Sequence, residues 1–250
     1  MPLLSSVYQQ VRARPALAAL IDGLPMRVGL PDGRKRALPF RLWRLARLWG
    51  SLPALRAESE EAFAAYRGGD VIDVGAYEGW YSVLLAPKAA AGDTLLSIEP
   101  DPAAFPELQA TLAAAARAFP GPTFHPLHVP AGNGQPVVVT HPPGGHPRFA
   151  EAPDGAGTPT TTVDQLVGTF GLAPTFVKVD VEGAERFVLE GMQRTLATHR
   201  PVVLLELHQH WQPDGTSAAD VEQLLRRNRY GQRVLEQTDV NVRQLWTPDA

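Results

Sequence analysis

Cysteine is absent from all 250 residues. That excludes disulfides, thiolate zinc sites, iron–sulfur clusters and a cysteine nucleophile. No apolar run approaches the roughly 18 residues of a membrane helix, so no transmembrane segment is expected. The N-terminus, MPLLSSVYQQVR, lacks a basic stretch followed by a long apolar one, so no signal peptide is expected. Lysine is scarce, with 3 of the 23 cations; the other 20 are arginine. An excess of either charge is also missing: 23 cations face 26 anions for a net −3, which gives no reason to expect a nucleic-acid partner. What is present is 44% hydrophobic and 20% charged residues, enough for a full globular core. The chain reads as a soluble cytoplasmic protein.

The first 69 residues read as mostly helical. Val7, Val11, Leu17 and Leu20 give Ser6–Ile21 a loose helical spacing broken by Pro15, and Pro31–Gly33 (PDG) is a turn signal. Arg34 to Arg56 holds seven cations and no anion, and Phe40–Gly50 reads as a helix carrying Arg41, Arg44 and Arg47 along one face. Three readings stand for that face: a solvated surface, a rim attracting an anionic substrate, or a nucleic-acid surface. From Gly69 the pattern changes. Strands are expected at Asp70–Val74, Leu95–Ile98, Thr123–Val129, Phe176–Asp180 and Val202–Leu207. Helices are expected over Tyr81–Ala86, Pro102–Ala118, Ala184–Leu196 and Asp220–Arg229. Such alternation means crossovers and a parallel sheet, and two closing strands at Arg233–Leu235 and Asn241–Trp246 should form an antiparallel edge hairpin. Residues 120–160 hold 10 of the 24 prolines and read as a long loop, with one strand at Pro136–Thr140 and either a substrate flap or a surface insertion as its role. The expected division is a helical extension over 1–57 and an α/β domain over 58–250 with a 130–160 loop insertion.

The most informative segment is Asp70–Ser82, DVIDVGAYEGWYS. A strand ends in Asp73, turns through Gly75 and enters a helix near Gly79, which offers free N–H groups and close backbone approach to a ligand. Glu99 ends the next strand, where an acid can accept hydrogen bonds from a ribose diol. Together these describe a site for an adenosine-containing ligand. The turn G-A-Y-E-G departs from the dinucleotide pattern G-x-G-x-x-G, and Asp73 sits badly beside a pyrophosphate. An acid there suits the α-ammonium of a methionine, which favours S-adenosylmethionine over NAD; a loop-bracing role for Asp73 is the alternative.

DVGAYEGWYS, SIEPDP at 97–102, VKVDVEGAERFVLEGM at 177–192 and PVVLLELH at 201–208 resemble, in order, the blocks of the FkbM family of S-adenosylmethionine-dependent methyltransferases. The resemblance covers about residues 58–210. It implies a class I methyltransferase fold, Rossmann-like and doubly wound, with a seven-stranded mostly parallel sheet and an antiparallel C-terminal hairpin. It also implies O-methylation of a sugar or natural-product hydroxyl. Asp73, Gly75, Gly79, Tyr81 and Ser82 are then expected around the methionyl moiety, with Ala76 and Tyr77 in the same cofactor set. Glu99 is expected on the ribose, Pro100 and Asp101 against ribose and adenine, and the backbone around Val129–Ala131, Ala131 included, at the adenine edge. The family usually has Asn-Ile where this chain has Tyr77-Glu78.

Two further clusters complete the set. Lys178 and Asp180 share one strand face, and a lysine within an apolar strand needs a partner, for which Asp180 or Glu206 would serve. Glu182 follows at the turn and is the expected general base. Glu185 is expected in the first helical turn, favoured by the helix dipole. Glu206 and His208 lie on one face of the fifth strand, so His208 can approach Asp180, and His208 is an alternative base. Asp180, Glu206 and His208 could share Mg²⁺ or Mn²⁺. The other six histidines, at 125, 128, 141, 146, 199 and 210, are read as loop or surface residues. The function expected is transfer of a methyl group from S-adenosylmethionine to a hydroxyl of a small molecule or glycan, itself conceivably anionic. The rivals are a non-catalytic S-adenosylmethionine-binding scaffold and a nicotinamide-dependent oxidoreductase.

Overall fold

A computed structural model describes residues 15–29, 33–140, 148–152, 155–209 and 216–249. Its centre is a seven-stranded sheet in the order β5-β4-β3-β8-β9-β11-β10. Strands β3 (Asp70–Val74), β4 (Thr94–Ile98), β5 (Thr123–Leu127), β8 (Pro174–Val179) and β9 (Val202–His208) run parallel. The final strand β11 (Asn241–Pro248) lies antiparallel between β9 and β10 (Tyr230–Gln237). The expected parallel sheet with its antiparallel closing hairpin is present.

Parallel strands buried on both faces are apolar at nearly every position. Ile72, Val74, Leu96, Ile98, Val177, Val179, Val203 and Leu205 point to one core, closed by helices α6 (Val163–Phe170), α7 (Glu185–Glu190), α8 (Gln193–Thr198) and α9 (Ala218–Arg226). Val71, Leu95, Phe176 and Leu204 point to the other. That side is covered by α2 (Phe40–Gly50), α3 (Pro53–Ala65), α4 (Trp80–Leu85) and α5 (Phe105–Ala118). No helix among the described residues is long and apolar enough to cross a membrane.

Three features differ from the expectations. The N-terminal region is helical over Pro15–Asp22, Phe40–Gly50 and Pro53–Ala65 but also holds a hairpin. After α1 (Pro15–Asp22), β1 (Pro25–Gly29) pairs antiparallel with β2 (Lys35–Pro39), because Val28 and Leu38 fall on one face and bury under α2. The Ser6–Pro15 part of the expected first helix and the first two residues of the PDG turn lie largely outside the described residues, as do His141, His146 and His210. The Ala184–Leu196 helix is split between Glu190 and Gln193. The reason is tertiary: a Cβ on Gly191 would overlap the Gly132 carbonyl oxygen, so the proline-rich segment packs into the break. That segment is also less irregular than expected. β6 (Val137–Thr140) pairs with β7 (Arg148–Glu151), and α6 follows behind a capping box in which Thr162 and Gln165 satisfy each other's backbone N–H.

Candidate functional site

A polar row crosses the second face of the sheet at the strands' carboxyl ends. Asp73 pairs in register with Ser97 on one side and Lys178 on the other, and Glu206 pairs with Arg243. Lys178 is buried, donates to the Gly75 carbonyl at 2.6 Å, and has Asp180 Oδ2 at 3.2 Å and Asp73 Oδ1 at 3.7 Å. Burial alone would lower its pKa, but the charges of Asp180 and Asp73 outweigh that and hold it above the ordinary lysine value. Its partner is therefore Asp180.

Above this row lies a cavity of about 400 Å³, a size typical of small-molecule sites. The turn after β3 contributes Gly75 and Tyr77, the end of β4 contributes Glu99, Pro100 and Asp101, and Ala131 closes one side. From the end of β8 come Asp180, Val181 and Glu182, from β9 Glu206 and His208, and from the closing hairpin Val240, Asn241 and Arg243. Trp49 and Leu55 reach in from the N-terminal segment. Sequence reasoning missed those two and the hairpin residues, since no motif marks them.

Glu99 is almost fully buried. Its Oε2 accepts the Tyr77 N–H at 2.7 Å and its Oε1 the Asp101 N–H at 2.9 Å. Burial raises its pKa against the lowering effect of both bonds. Each oxygen keeps a lone pair, so the carboxylate can still accept two hydroxyl donors. Tyr77 (φ 49°) and Glu182 (φ 55°) are both non-glycine residues in the left-handed region, at the turns leaving β3 and β8. Such strain persists where surroundings enforce it and is common at functional sites.

Several residues of the expected cofactor set turn away from the cavity. Asp73 lies beneath its lining, fully buried; neither oxygen accepts a hydrogen bond of ordinary geometry, and burial raises its pKa. Gly75 lines the wall, but its glycine is required by protein: a Cβ would overlap the Asp180 carbonyl oxygen, and its φ is +74°. Gly79 and Ala76 pack against Leu108 of α5. The Tyr81 hydroxyl donates to Glu58 Oε1 at 2.5 Å, and the Ser82 and Ser97 hydroxyls share a hydrogen bond of 2.6 Å. Tyr81 and Ser82 sit on α4, which is buried along its whole length, and with Gly79 and Ala76 they brace the turn from behind.

The acidic cluster is tighter than expected. His208 Nδ1 meets Glu185 Oε1 at 2.8 Å, and Nε2 has Glu182 Oε2 at 3.4 Å, Glu206 Oε1 at 3.9 Å and Asp180 Oδ1 at 4.0 Å. Burial would lower the imidazole pKa, but the Glu185 hydrogen bond and the charges of Glu185, Asp180 and Glu182 push it up to about 9. That shift favours the imidazolium, in which both ring nitrogens are donors, over the neutral ring that a base requires. Glu185 is no ordinary first-turn acid: it is fully buried and also accepts the Gly183 N–H. Asp180, Glu182 and His208 each offer a ligand atom within 4.8 Å of the others. The expected metal trio had Glu206 in place of Glu182. Glu206 is instead engaged by Arg243 at 2.8 Å and by the Asn241 amide.

Two of the three arginines on the basic face of α2 are held by acids. Arg41 pairs with Asp22 at 2.5 Å and Glu107 at 2.8 Å, and Arg44 pairs with Glu78 at 2.6 Å. Only Arg47 of the three stays exposed, its guanidinium 6.0 Å from the Trp43 ring centre. His125 packs against Phe170 and His128 stacks on Phe105, so neither joins the cavity.

The family model of the methyltransferase FkbM domain matches residues 73–234. The chain belongs to the FkbM methyltransferase family. Among solved structures it is similar to the methyltransferase FkbM of Methylobacillus flagellatus, with a TM-score of 0.51 and 18% identity over 82% of this chain. It spans 58% of that protein's length. It is also similar to an O-methyltransferase from Bacillus cereus solved with SAH (TM-score 0.46, 11% identity, 83% of this chain and 90% of that one). A third is the magnesium protoporphyrin IX methyltransferase of Synechocystis with bound SAM (0.45, 12%, 84% and 91%). Among curated proteins none matches. The likeness to the Methylobacillus protein establishes the fold as that of the class I methyltransferases.

Proposed function

We propose that this FkbM-family protein transfers the methyl group of S-adenosylmethionine to a hydroxyl oxygen of a small molecule or glycan. The observation that carries the reading is Glu99, aimed by two backbone N–H groups into a cavity at the carboxyl ends of the strands, with a lone pair left on each oxygen. That is the donor-free acceptor pair a ribose diol requires. Pro100, Asp101 and Ala131 flank it where the ribose and adenine would lie. The lining carries Glu99, Asp101, Asp180, Glu182 and Glu206 against His208 and Arg243, a balance that suits a donor of net positive charge. When bound, S-adenosylmethionine supplies an electrophilic methyl group on its sulfonium.

The chain's own part is to position the acceptor and remove its hydroxyl proton. Glu182 lines the cavity at the end of β8 and is the base in this reading. Protonated His208, anchored by Glu185, holds Glu182 in place at 3.4 Å. Trp49 and Leu55 add apolar surface to the cavity wall from the N-terminal segment. Calorimetry with S-adenosylmethionine, S-adenosylhomocysteine and NAD tests the donor. Tight binding of NAD alone would return the nicotinamide reading, and donor binding without transfer of radiolabel to any hydroxylated acceptor would leave a scaffold.

A second reading rests on the close spacing of Asp180, Glu182 and His208. Two carboxylates and an imidazole could hold Mg²⁺ or Mn²⁺, with His208 giving up its proton on binding. Assay in EDTA separates the two: undiminished turnover removes the metal, and loss restored by Mg²⁺ or Mn²⁺ establishes it.

A further inference from the structure

Beside the first cavity lies a second, of about 520 Å³, whose lining falls outside the family match except for Trp80. Arg27 of β1, Trp43 and Arg47 of α2, Arg56 and Glu60 of α3, and Trp80 of α4 line it. Three guanidinium groups face one carboxylate. Among the described residues Arg27 and Arg47 form no ion pair, and the Arg56–Glu60 pair at 2.9 Å is exposed, where such pairs bind weakly. Exposed arginines scattered over a surface are ordinary. These three come from three elements onto one concavity, with the Arg47 guanidinium 6.0 Å from the Trp43 ring centre. Guanidinium forks match phosphate oxygens bidentately, and the Trp43 face offers a platform for a ring.

The two cavities share a wall. Trp49, which lines the first, stacks on Trp80 of the second with planes 3° apart and ring centres at 6.4 Å. On α3, Leu55 faces the first cavity and Arg56 the second. The α2–α3 corner is therefore a narrow ridge between an acidic chamber and a basic one. An anionic group would be repelled by the five carboxylates of the first, and the second is where it would be held.

We propose that the second cavity holds a phosphate-bearing part of the acceptor, whose hydroxyl reaches over the ridge into the first cavity. The substrate class is thus a phosphate-tethered hydroxy compound rather than a neutral one. This rests on the methyl-transfer reading for its use, but the anion site itself is tested separately. Inorganic pyrophosphate is titrated against the full chain by calorimetry and tryptophan fluorescence, in wild type and in Arg27→Gln/Arg47→Gln. Both arginines are exposed, so the variant should fold. Expected is saturable binding, weakened about tenfold or more in the double variant and by added salt, with S-adenosylhomocysteine affinity unchanged. Absent saturation, or an equal dissociation constant in the variant, would overturn the proposal. So would sedimentation with phosphatidylglycerol vesicles without pyrophosphate binding, which would make the arginines a lipid-surface patch. Pyrophosphate binding with no S-adenosylhomocysteine binding would keep the anion site and remove the donor reading instead.

Discussion

Arg44 Nη2 stands 2.6 Å from Glu78 Oε2, joining α2 to the turn that follows β3. Both side chains are partly buried, and Glu78 occupies one of the two positions where the turn departs from the usual family residues. The pair ties the N-terminal segment, and with it Trp49, to the turn that walls the first cavity.

Removing either partner should loosen that tie. Arg44→Gln and Glu78→Gln are each expected to raise the acceptor KM while leaving the S-adenosylhomocysteine dissociation constant nearly unchanged. A double-mutant cycle on stability should give a coupling of about 1 kcal/mol. A cycle that closes at zero would make the contact incidental.

Glu99→Gln puts an amide N–H₂ where an oxygen now faces a backbone N–H. It also loses two charge-assisted bonds and the charge that would meet the ribose. Donor affinity should fall about tenfold or more, since each such bond contributes about 1.5–3 kcal/mol. Calorimetry reads this directly, and an unchanged dissociation constant would place the ribose elsewhere.

Gly75→Ala should be among the most damaging single changes. It combines a left-handed backbone with a clash against the Asp180 carbonyl, and about 3 kcal/mol or more of stability should be lost. Gly92, with φ +99° and nothing within 4 Å of an added Cβ, is the control. Gly92→Ala should cost only about 1 kcal/mol. Urea denaturation of both variants separates clash from backbone strain.

Glu58 carries the pH dependence. Burial first, and then the charge of Glu206, push its pKa from 4.5 up to about 7, against the Tyr81 hydrogen bond and Arg243. A raised acid binds its proton more tightly when folded, so its contribution is fully present below about pH 4.5 and is lost as pH rises through 7. Glu58→Gln cannot titrate. The stability of the variant relative to wild type should therefore rise between pH 4.5 and 8, by about 3 kcal/mol at most. A difference that stays flat across that range would show that Glu58 ionises normally.

Glu182→Gln should lower kcat roughly a hundredfold or more with little change in donor affinity, because only proton removal is affected. Glu185→Gln should act more weakly, and should lower the His208 pKa measured by imidazole NMR. If turnover survives Glu182→Gln, the base lies elsewhere in the cluster.

Much of the sheet was legible because strands and helices alternate from Asp70 onward and the motif blocks fall at strand ends. Glu99 and Glu182 were legible for the same reason: chain position alone puts them at the carboxyl edge. The β1–β2 hairpin was not, since two five-residue strands bounded by proline and glycine carry one buried aliphatic each and too little alternation to register. The capping box at Thr162 was available in the sequence as T-x-x-Q and was overlooked among prolines and threonines. Other features lie beyond any local pattern. The Gly191 break depends on a carbonyl 59 positions away in the chain, and the depth of Glu185 depends on His208, 23 positions on. Tyr81 and Ser82 look like ligand residues in the motif, yet helix α4 is buried on all sides, and only packing reveals that.

The family match ends at residue 234, yet Val240, Asn241 and Arg243 complete the cavity from one side of it and Trp49 and Leu55 from the other. Family membership is thus carried by one stretch of the chain and part of the cavity wall by the two beside it. Changing those flanks would reshape the cavity without touching the matched middle. Grafting the flanks of one member onto another is the natural route to redirecting it.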